Sequence, residues 1–461
     1  MAASRQQNRA NMMMTDPISK IIPKMALPTI VSFLINSVYS LADTYFVSSI
    51  GTNATAAVSV NSSLDQFIFM AGSLFAIGAS SYCSRLLGAQ DEKKASQVLS
   101  TSYFLALLFG ALILVFGTVF MRPMVRMLGA TDSCEKYAID YATYVLYVAP
   151  IMAGSFVLNQ CLRAEGSPLF SMFGMSFGGI LNCVLDPIFI FHFGLGVAGA
   201  SMATAISKLI SFCILMFPYL TKRSLLHISI RLFRPTKKII TEVVSVGSSS
   251  MLRSALAVLS AIILNNIAGS ISDSVLAGIG VTTKIMMFPF SIILGLGTGF
   301  QPVAGFNWGA KRFDRVRESF RFTSWVAIIV SGTMGLLLCI FAIPVIHLFS
   351  ETDPVMQEIG ALSIRLQSIV LPVHAWVAIV NMLCAGLGRA KYALILSTAR
   401  QGTCFLPFVH LITFAFGAYG VASIQAIADL ITLVIAIPIL QKVKRLIDEA
   451  EKDSILCLSE D

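Results

Sequence analysis

The chain has 461 residues, of which 56% are hydrophobic and only 12% are charged, and its mean hydropathy is +0.80. Soluble domains carry about 25% charged residues, so this composition excludes an ordinary soluble protein and indicates many membrane-spanning helices. The formal net charge is +9, but the bases lie in short segments between apolar runs, which favours membrane topology over nucleic-acid binding.

Twelve apolar segments follow one another along the chain, each long enough to cross a bilayer as a helix. The first is too long for a cleavable signal peptide, so we expect it to remain as a span. The segments form two sets of six, separated by a basic linker. The predicted parts are an N-terminal tail (1–20), an N-lobe (21–220), the linker (221–240), a C-lobe (241–440) and a C-terminal tail (441–461).

The basic residues collect on one side of the membrane if the spans alternate. Most of the 33 Lys and Arg residues lie in the tails, the linker and the loops on that side, and we place Arg163 and Arg400 among them. Because loops rich in Lys and Arg stay in the cytoplasm, we expect both termini to be cytoplasmic. The expected location is the plasma (inner) membrane, as a multi-pass protein.

The two halves of the chain contain an internal sequence repeat. Residues 51–132 recur as 272–353 without a gap, so that Gly88 corresponds to Gly309 at a constant shift of 221 positions. Such a period in an apolar chain indicates a duplicated membrane domain. An even number of spans per copy gives both copies the same orientation. We therefore predict an all-α fold of twelve transmembrane helices, arranged as two parallel six-helix repeats around a central cleft.

Eight charged residues lie inside the predicted spans. Each costs several kcal/mol at the bilayer centre unless it faces protein or water, so a functional role is the first hypothesis and ion pairing between helices the alternative. The shift of 221 positions carries Asp43 to Leu264 and Asp186 to Pro407, so these acids occur in the first copy only. The eight are Asp43, Asp65, Asp186, Asp429, Lys208, Arg253, Lys284 and Arg365.

Four polar residues of the first copy form the candidate cation site. Asn182 and Asp186 are four positions apart and hence share one helix face, and Thr204 lies at a similar depth on the next span. With Asp43 they offer two carboxylates, an amide oxygen and a hydroxyl, which suit Na⁺, and paired acids can also share a proton. The alternative is a hydrogen-bond network that only joins helices.

Further residues are candidates for the substrate cavity: Asp65, Lys284, Arg253, Met286 and Phe288. If the bases face the central cleft, they favour an anionic or zwitterionic substrate. We prefer the interpretation that Lys284 offsets the charge of Asp65, since both lie midway along equivalent helices. Asp429 occupies the position equivalent to Lys208, which fits a structural role for that pair of positions.

Several segments resemble the MATE family (multidrug and toxic compound extrusion), and the similarity runs over essentially all twelve spans. Leu27-Pro28 and the segment 40–47 resemble the first helix of that family. The segments 182–187 and 196–200 resemble its fifth and sixth helices, and 299–310 resembles its eighth.

The resemblance implies an antiporter that couples entry of H⁺ or Na⁺ to export of lipophilic, often cationic, organic compounds. In the DinF-like branch, to which this chain is closer, the coupling ion is carried by the positions that match Asp43, Asn182, Asp186 and Thr204. Pro28 matches a proline proposed to bend the first helix on protonation. No other cofactor and no nucleic acid is expected, and the partners would be small molecules and the lipid bilayer, with the protein a monomer.

Two other transporter classes stay open. A lipid-linked oligosaccharide flippase of the same superfamily would line its cavity with bases, as Lys284 and Arg253 could. A major-facilitator transporter also has twelve spans, but the loop 85–94 does not fit its G-x-x-x-D-R-x-G-R-like motif. An enzyme is not expected, because the chain has no HExxH, GxSxG or GxxxxGK[ST] motif.

Overall fold

A computed structural model describes residues 12–48, 50–132, 134–349 and 353–459. In this part of the chain, eleven helical segments are long and apolar enough to cross a membrane, and the last, Ala390–Leu456, contains two helices. The predicted all-α membrane fold with twelve spans is therefore confirmed. The first ten spans are α1 Ile18–Ser48, α2 Thr52–Gly88, α3 Glu92–Val119, α4 Glu135–Ala164, α5 Pro168–Pro187, α6 Gly196–Leu220, α7 Lys237–Ile271, α8 Asp273–Gly309, α9 Phe313–Ile340 and α10 Pro354–Gly386.

The last two spans are joined through a glycine. Ala390–Thr398 continues through a π-helical turn, Ala399–Thr403, into the long helix Leu406–Ser459. Inside that helix Gly417 has φ 54° and ψ −129°, a conformation that reverses the chain and that glycine adopts without steric cost. The residues before it complete α11 (390–416), and those after it form α12 (418–459).

The two lobes repeat one packing pattern. In the N-lobe, α4 packs against α2, α3 and α6, and α1 packs against α5. In the C-lobe, α10 packs against α8, α9 and α12, and α7 packs against α11. The lobes meet where α1 contacts α8 and α2 contacts α7. Since α7 and α8 are the copies of α1 and α2, these two interfaces are themselves copies of each other, as parallel repeats require.

The lobes approach each other closely at the end of the molecule that carries the linker and the loops after α2 and α8, here called the basic end. A side chain at Gly88 would collide with the backbone of Phe306, and one at Gly309 would collide with the backbone of Arg85. Phe306 is the copy of Arg85, so the contact is reciprocal. Arg85 also forms an ion pair with Glu242 of α7, at 2.9 Å between Nη2 and Oε2.

The lobes separate towards the opposite end. Ser37 of α1 and Ser291 of α8 share a hydrogen bond of 3.0 Å near the middle of the interface. Beyond it, α1 exposes apolar side chains, with Leu41 38% and Tyr45 72% exposed. The inter-lobe contacts at glycines, such as Gly295 with Ile30 and Gly299 with Ala26, lie on the basic side of this hydrogen bond. We therefore interpret the cleft as closed at the basic end and open at the other.

We expect Gly309→Ala to destabilise the protein, because its new methyl group would force α2 and α8 apart, and overpacking costs about 1–3 kcal/mol. The measurement is the midpoint of thermal unfolding in detergent. Gly280→Ala is the matched control, since it lies on the same helix with no atom within 4 Å of the added methyl group. Equal midpoints for the two variants would contradict the close packing of the lobes.

Candidate functional site

One face of α1 carries the polar residues of the N-lobe interior. Asn36, Tyr39 and Asp43 are spaced by three and four positions, so they follow one another along the same face. Asp43 is only 8% exposed, and none of the described residues donates a hydrogen bond to its Oδ1 atom. The phenol of Tyr39 is close enough to interact with the charges of Asp43 and Asp65.

The predicted residues of α5 and α6 come together in a hydrogen-bond network. The Asn182 amide donates to Asp186 Oδ1 at 3.2 Å and to Thr204 Oγ1 at 3.1 Å. All three are at most 2% exposed. Asp186 precedes Pro187 and the π-helical turn Ile188–His192, so the regular helix ends just beside the network. A proline and a π-helical turn both disturb the helical hydrogen bonds, and such distortions are frequent at functional sites.

Asp43 completes the group without joining the network by a hydrogen bond. It is close enough to Asp186 for the two charges to repel each other. Among the described residues, no donor reaches Asp43 Oδ1, Asn182 Oδ1 or Asp186 Oδ2. Buried acceptor oxygens without donors cost about 1–3 kcal/mol each, and a proton or a monovalent cation would satisfy them. The described residues contain no group of three or more His, Cys, Asp or Glu side chains that could hold a metal ion.

A cavity of about 300 Å³ adjoins this group inside the N-lobe. Asn182 and Thr204 line it, as do Asp65 and Lys208. The remaining wall combines small polar side chains, mostly serines, with apolar rings and thioethers. The rings and thioethers belong to Phe33, Phe69, Met152, Phe156 and Met175.

Lys208, and not Lys284, offsets the charge of Asp65. Lys208 is close enough to attract the carboxylates of both Asp65 and Asp43, and its Nζ atom lies 5.4 Å from the centroid of the Tyr39 ring. The preferred pairing of Lys284 with Asp65 is therefore wrong. The pairing was inferred from depth along the helices, which does not specify the face on which a side chain lies.

The candidates on α8 occupy different surroundings. Lys284 is exposed and lies two turns from Ser291 on the same face, so it borders the cleft between the lobes. Phe288 is half-buried, whereas Met286 is 1% exposed and packs in the hydrophobic core. The prediction that Met286 lines the cavity is therefore wrong.

Pro28 is remote from the polar group. It is buried inside α1, which continues as one helix from Ile18 to Ser48, and the Ser32 hydroxyl donates to its carbonyl oxygen at 2.9 Å. Fifteen residues separate Pro28 from Asp43, which is about 22 Å along a helix. Any effect of Pro28 on the site would have to pass along α1.

Two residues that the sequence interpretation did not assign to the site belong to its surroundings. Tyr39 lines the cavity, and its spacing from Asn36 and Asp43 could have revealed it. Tyr141 of α4 is 3% exposed and lies against Thr204, but its sequence neighbourhood does not distinguish it from Tyr137 and Tyr144.

The MatE family model matches the chain twice, over residues 28–188 and 249–409. The second match is displaced from the first by the 221 positions that relate the two lobes. The chain belongs to the MatE family. Curated relatives include the multidrug export protein MepA of Staphylococcus aureus (strain N315), which is 26% identical over 419 residues and covers 90% of this chain and 91% of its own length. MepA of Staphylococcus haemolyticus is also 26% identical, over 91% of this chain and 92% of its own length.

Solved MatE-type structures share the whole fold. One is described as the outward-facing conformation of a multidrug resistance MATE family transporter of the MOP superfamily. It is 25% identical, covers 95% of this chain and 98% of its own length, and has a TM-score of 0.89. A MATE structure in complex with MaL6 has the same identity and TM-score over 96% of this chain and 99% of its own length.

These findings confirm that the chain is a multi-pass membrane transporter and not an enzyme. They also confirm the family that the motifs of α1, α5, α6 and α8 indicated. The major-facilitator alternative is excluded, because the match to the MatE model extends through both lobes.

We expect Asn182→Ala to lower the free energy of unfolding by about 1–3 kcal/mol, because Asp186 and Thr204 both lose their bond to the buried amide. Thermal unfolding in detergent measures the loss. Ser62→Ala is the control, since this exposed hydroxyl bonds only to the carbonyl oxygen of Val58 in its own helix. A midpoint like that of the control would contradict the bridging role of Asn182.

Proposed function

We propose that this protein is an antiporter that couples the entry of H⁺ or Na⁺ to the export of lipophilic, often cationic, organic compounds. The observation that carries the proposal is a group of buried oxygens in the N-lobe, on Asp43, Asn182 and Asp186, which no donor among the described residues reaches and which lie beside a cavity. The curated relatives are named multidrug export proteins, which supports the same class of substrate for this chain.

The coupling ion would hold together two helices whose carboxylates otherwise repel each other. Asp43 lies on α1, whereas Asp186 and Thr204 lie on α5 and α6. A bound cation or proton offsets the repulsion between the two carboxylates and draws α1 towards α5. Loss of the ion has the opposite effect, so occupancy would bias the position of α1, which is also a wall of the cleft.

The cleft supports alternating access. The lobes are in contact at the basic end and separate at the other, and an outward-facing structure is among the similar ones. By the distribution of Lys and Arg, the basic end would be cytoplasmic, in the plasma (inner) membrane. Rocking of the lobes about the α1–α8 and α2–α7 interfaces would expose the cavity to each side in turn.

The cavity supports a lipophilic cation as substrate. Aromatic rings and methionines form part of its wall. Asp65 supplies a negative charge that Lys208 offsets only in part, since Asp43 competes for the same ammonium group. The flippase alternative depends on bases in the cavity. In the N-lobe cavity the only basic lining residue among those described is Lys208.

We expect Asp43→Asn and Asp186→Asn each to reduce export at least about tenfold, because neither amide can carry the charge that binds the cation. The measurement is efflux of ethidium from vesicles containing the purified variant. Asp273→Asn is the control, since this exposed carboxylate begins α8, a helix of the other lobe. Wild-type rates of efflux in both site variants would refute the coupling role.

The same vesicles distinguish the coupling ions. A Na⁺ gradient with the pH gradient collapsed by an ionophore drives efflux if Na⁺ is used, and a pH gradient in Na⁺-free buffer drives it if H⁺ is used. Efflux under neither gradient would contradict cation coupling itself.

A further inference from the structure

The interior of the C-lobe contains a second charged group. The Arg400 guanidinium contacts the Asp429 carboxylate with two nitrogens, Nε to Oδ1 at 2.5 Å and Nη2 to Oδ2 at 3.3 Å. His374 Nδ1 lies 3.6 Å from the same carboxylate. The sequence prediction placed Arg400 in a basic loop, which is wrong. It lies in the π-helical turn of α11, inside the lobe.

The duplication places this group at the counterpart of the N-lobe cavity. The shift of 221 positions carries the cavity-lining residues Phe69, Gly179 and Lys208 to Phe290, Arg400 and Asp429. The Arg400 guanidinium carbon is 4.8 Å from the centroid of the Phe290 ring. The same positions therefore hold a base where the N-lobe has a glycine, and an acid where it has a lysine.

Positive charge exceeds negative charge in this group. Arg253 of α7 is half-buried, donates to Ser250 Oγ at 3.2 Å, and is close enough to Arg400 for the two guanidinium groups to repel each other. None of the ion pairs among the described residues involves Arg253. Arg400 is thus paired with the one carboxylate, whereas Arg253 has no acidic partner among the described residues. The N-lobe has the opposite imbalance, with three carboxylates and one ammonium group.

A purely structural ion pair would not explain this excess. Arg400 and Asp429 would already be balanced as a pair, and a further unpaired guanidinium inside the membrane domain costs several kcal/mol. Such a group is stabilised by an oxyanion, because the planar guanidinium matches a carboxylate or phosphate with parallel hydrogen bonds. The side chain of Arg400 is 17% exposed and that of His374 is 14% exposed, so the group is not sealed in the core.

We propose that Arg253 and Arg400 form an anion-binding subsite, and that compounds carried by this protein include those with a carboxylate or another oxyanion. This deepens the proposed function, on which it rests, by naming a substrate class. In a carboxylate-bearing compound, the anionic part would face Arg253 and Arg400. Lys284, at the edge of the cleft, adds to the positive potential on the C-lobe side.

Two dyes that differ only at one carboxyl group test the subsite. Rhodamine 110 has a free carboxylate, and rhodamine 123 is its methyl ester. Binding of each to the full-length protein in lipid nanodiscs is measured by fluorescence polarisation, without any ion gradient. For Arg253→Gln we expect about tenfold weaker binding of rhodamine 110 and unchanged binding of rhodamine 123, because only the first loses a charge-assisted hydrogen bond.

Two further variants separate charge from packing. Arg253→Lys keeps the charge and should retain most of the affinity for rhodamine 110. Arg365→Gln removes another intramembrane base, an exposed residue nine positions before His374 on the same helix, and should leave both affinities unchanged. If Arg253→Gln does not fold, the double variant Arg400→Gln with Asp429→Asn removes a guanidinium without orphaning a carboxylate, and carries the same expectation.

Equal losses for both dyes in Arg253→Gln would show that the residue only supports the lobe, and would overturn the proposal. Failure of the wild-type protein to bind rhodamine 110 would overturn it as well. Because binding is measured without a gradient, these outcomes are independent of whether ethidium efflux depends on Asp43 and Asp186. The two proposals therefore fail or succeed separately.

Discussion

Charge inside a bilayer must be balanced or hydrated, and this constraint organises both lobes of the protein. In the N-lobe, Lys208 attracts Asp43 and Asp65, while Asp186 relies on the amide of Asn182. In the C-lobe, Asp429 holds Arg400. Neither group is fully balanced by the described residues. The imbalance is energetically costly in an apolar surrounding, so it favours an external ion or ligand as the missing partner.

The contact between the lobes connects the charged group of the N-lobe with that of the C-lobe. Glycines bring α2 and α8 together reciprocally at the basic end, where the backbone of one copy fits against the other. Small residues at such contacts permit close backbone approach and a change of angle without loss of packing. Asp43 lies on α1 beyond the Ser37–Ser291 bond, away from the basic end. A small rotation at the basic end would therefore produce a larger displacement at the site.

Much of the fold could be predicted, because the signals are local or repeated. Span length gave the twelve helices, and the shift of 221 positions gave the parallel repeats. The contact of Asn182 with Asp186 follows from helical spacing alone. The predictions that were wrong concern orientation. The helix α8 is apolar on all sides, so its pattern could not show that Met286 faces the core while Lys284 faces the cleft.

Arg400 illustrates a different limit. Arg389 precedes α11 and Lys391 lies in its first turn, and their proximity in sequence suggested that Arg400 extends the same basic cluster. Its actual place depends on Asp429, 29 positions away, and on a π-helical turn that no sequence pattern marks. When a buried charge has a partner far away in sequence, nearby charges do not show whether it lies inside a span or in a loop.

The two lobes differ in their interior residues because the packing of the helices places little constraint on these positions. Helix packing repeats from lobe to lobe, since α4 and α10 contact equivalent neighbours. The residues that line the interior are less constrained, because equivalent positions hold Gly179 in α5 and Arg400 in α11. Duplication therefore preserved the frame, while a few substitutions reversed the sign of the charge. One lobe can then bind a cation while the interior of the other holds an excess of positive charge.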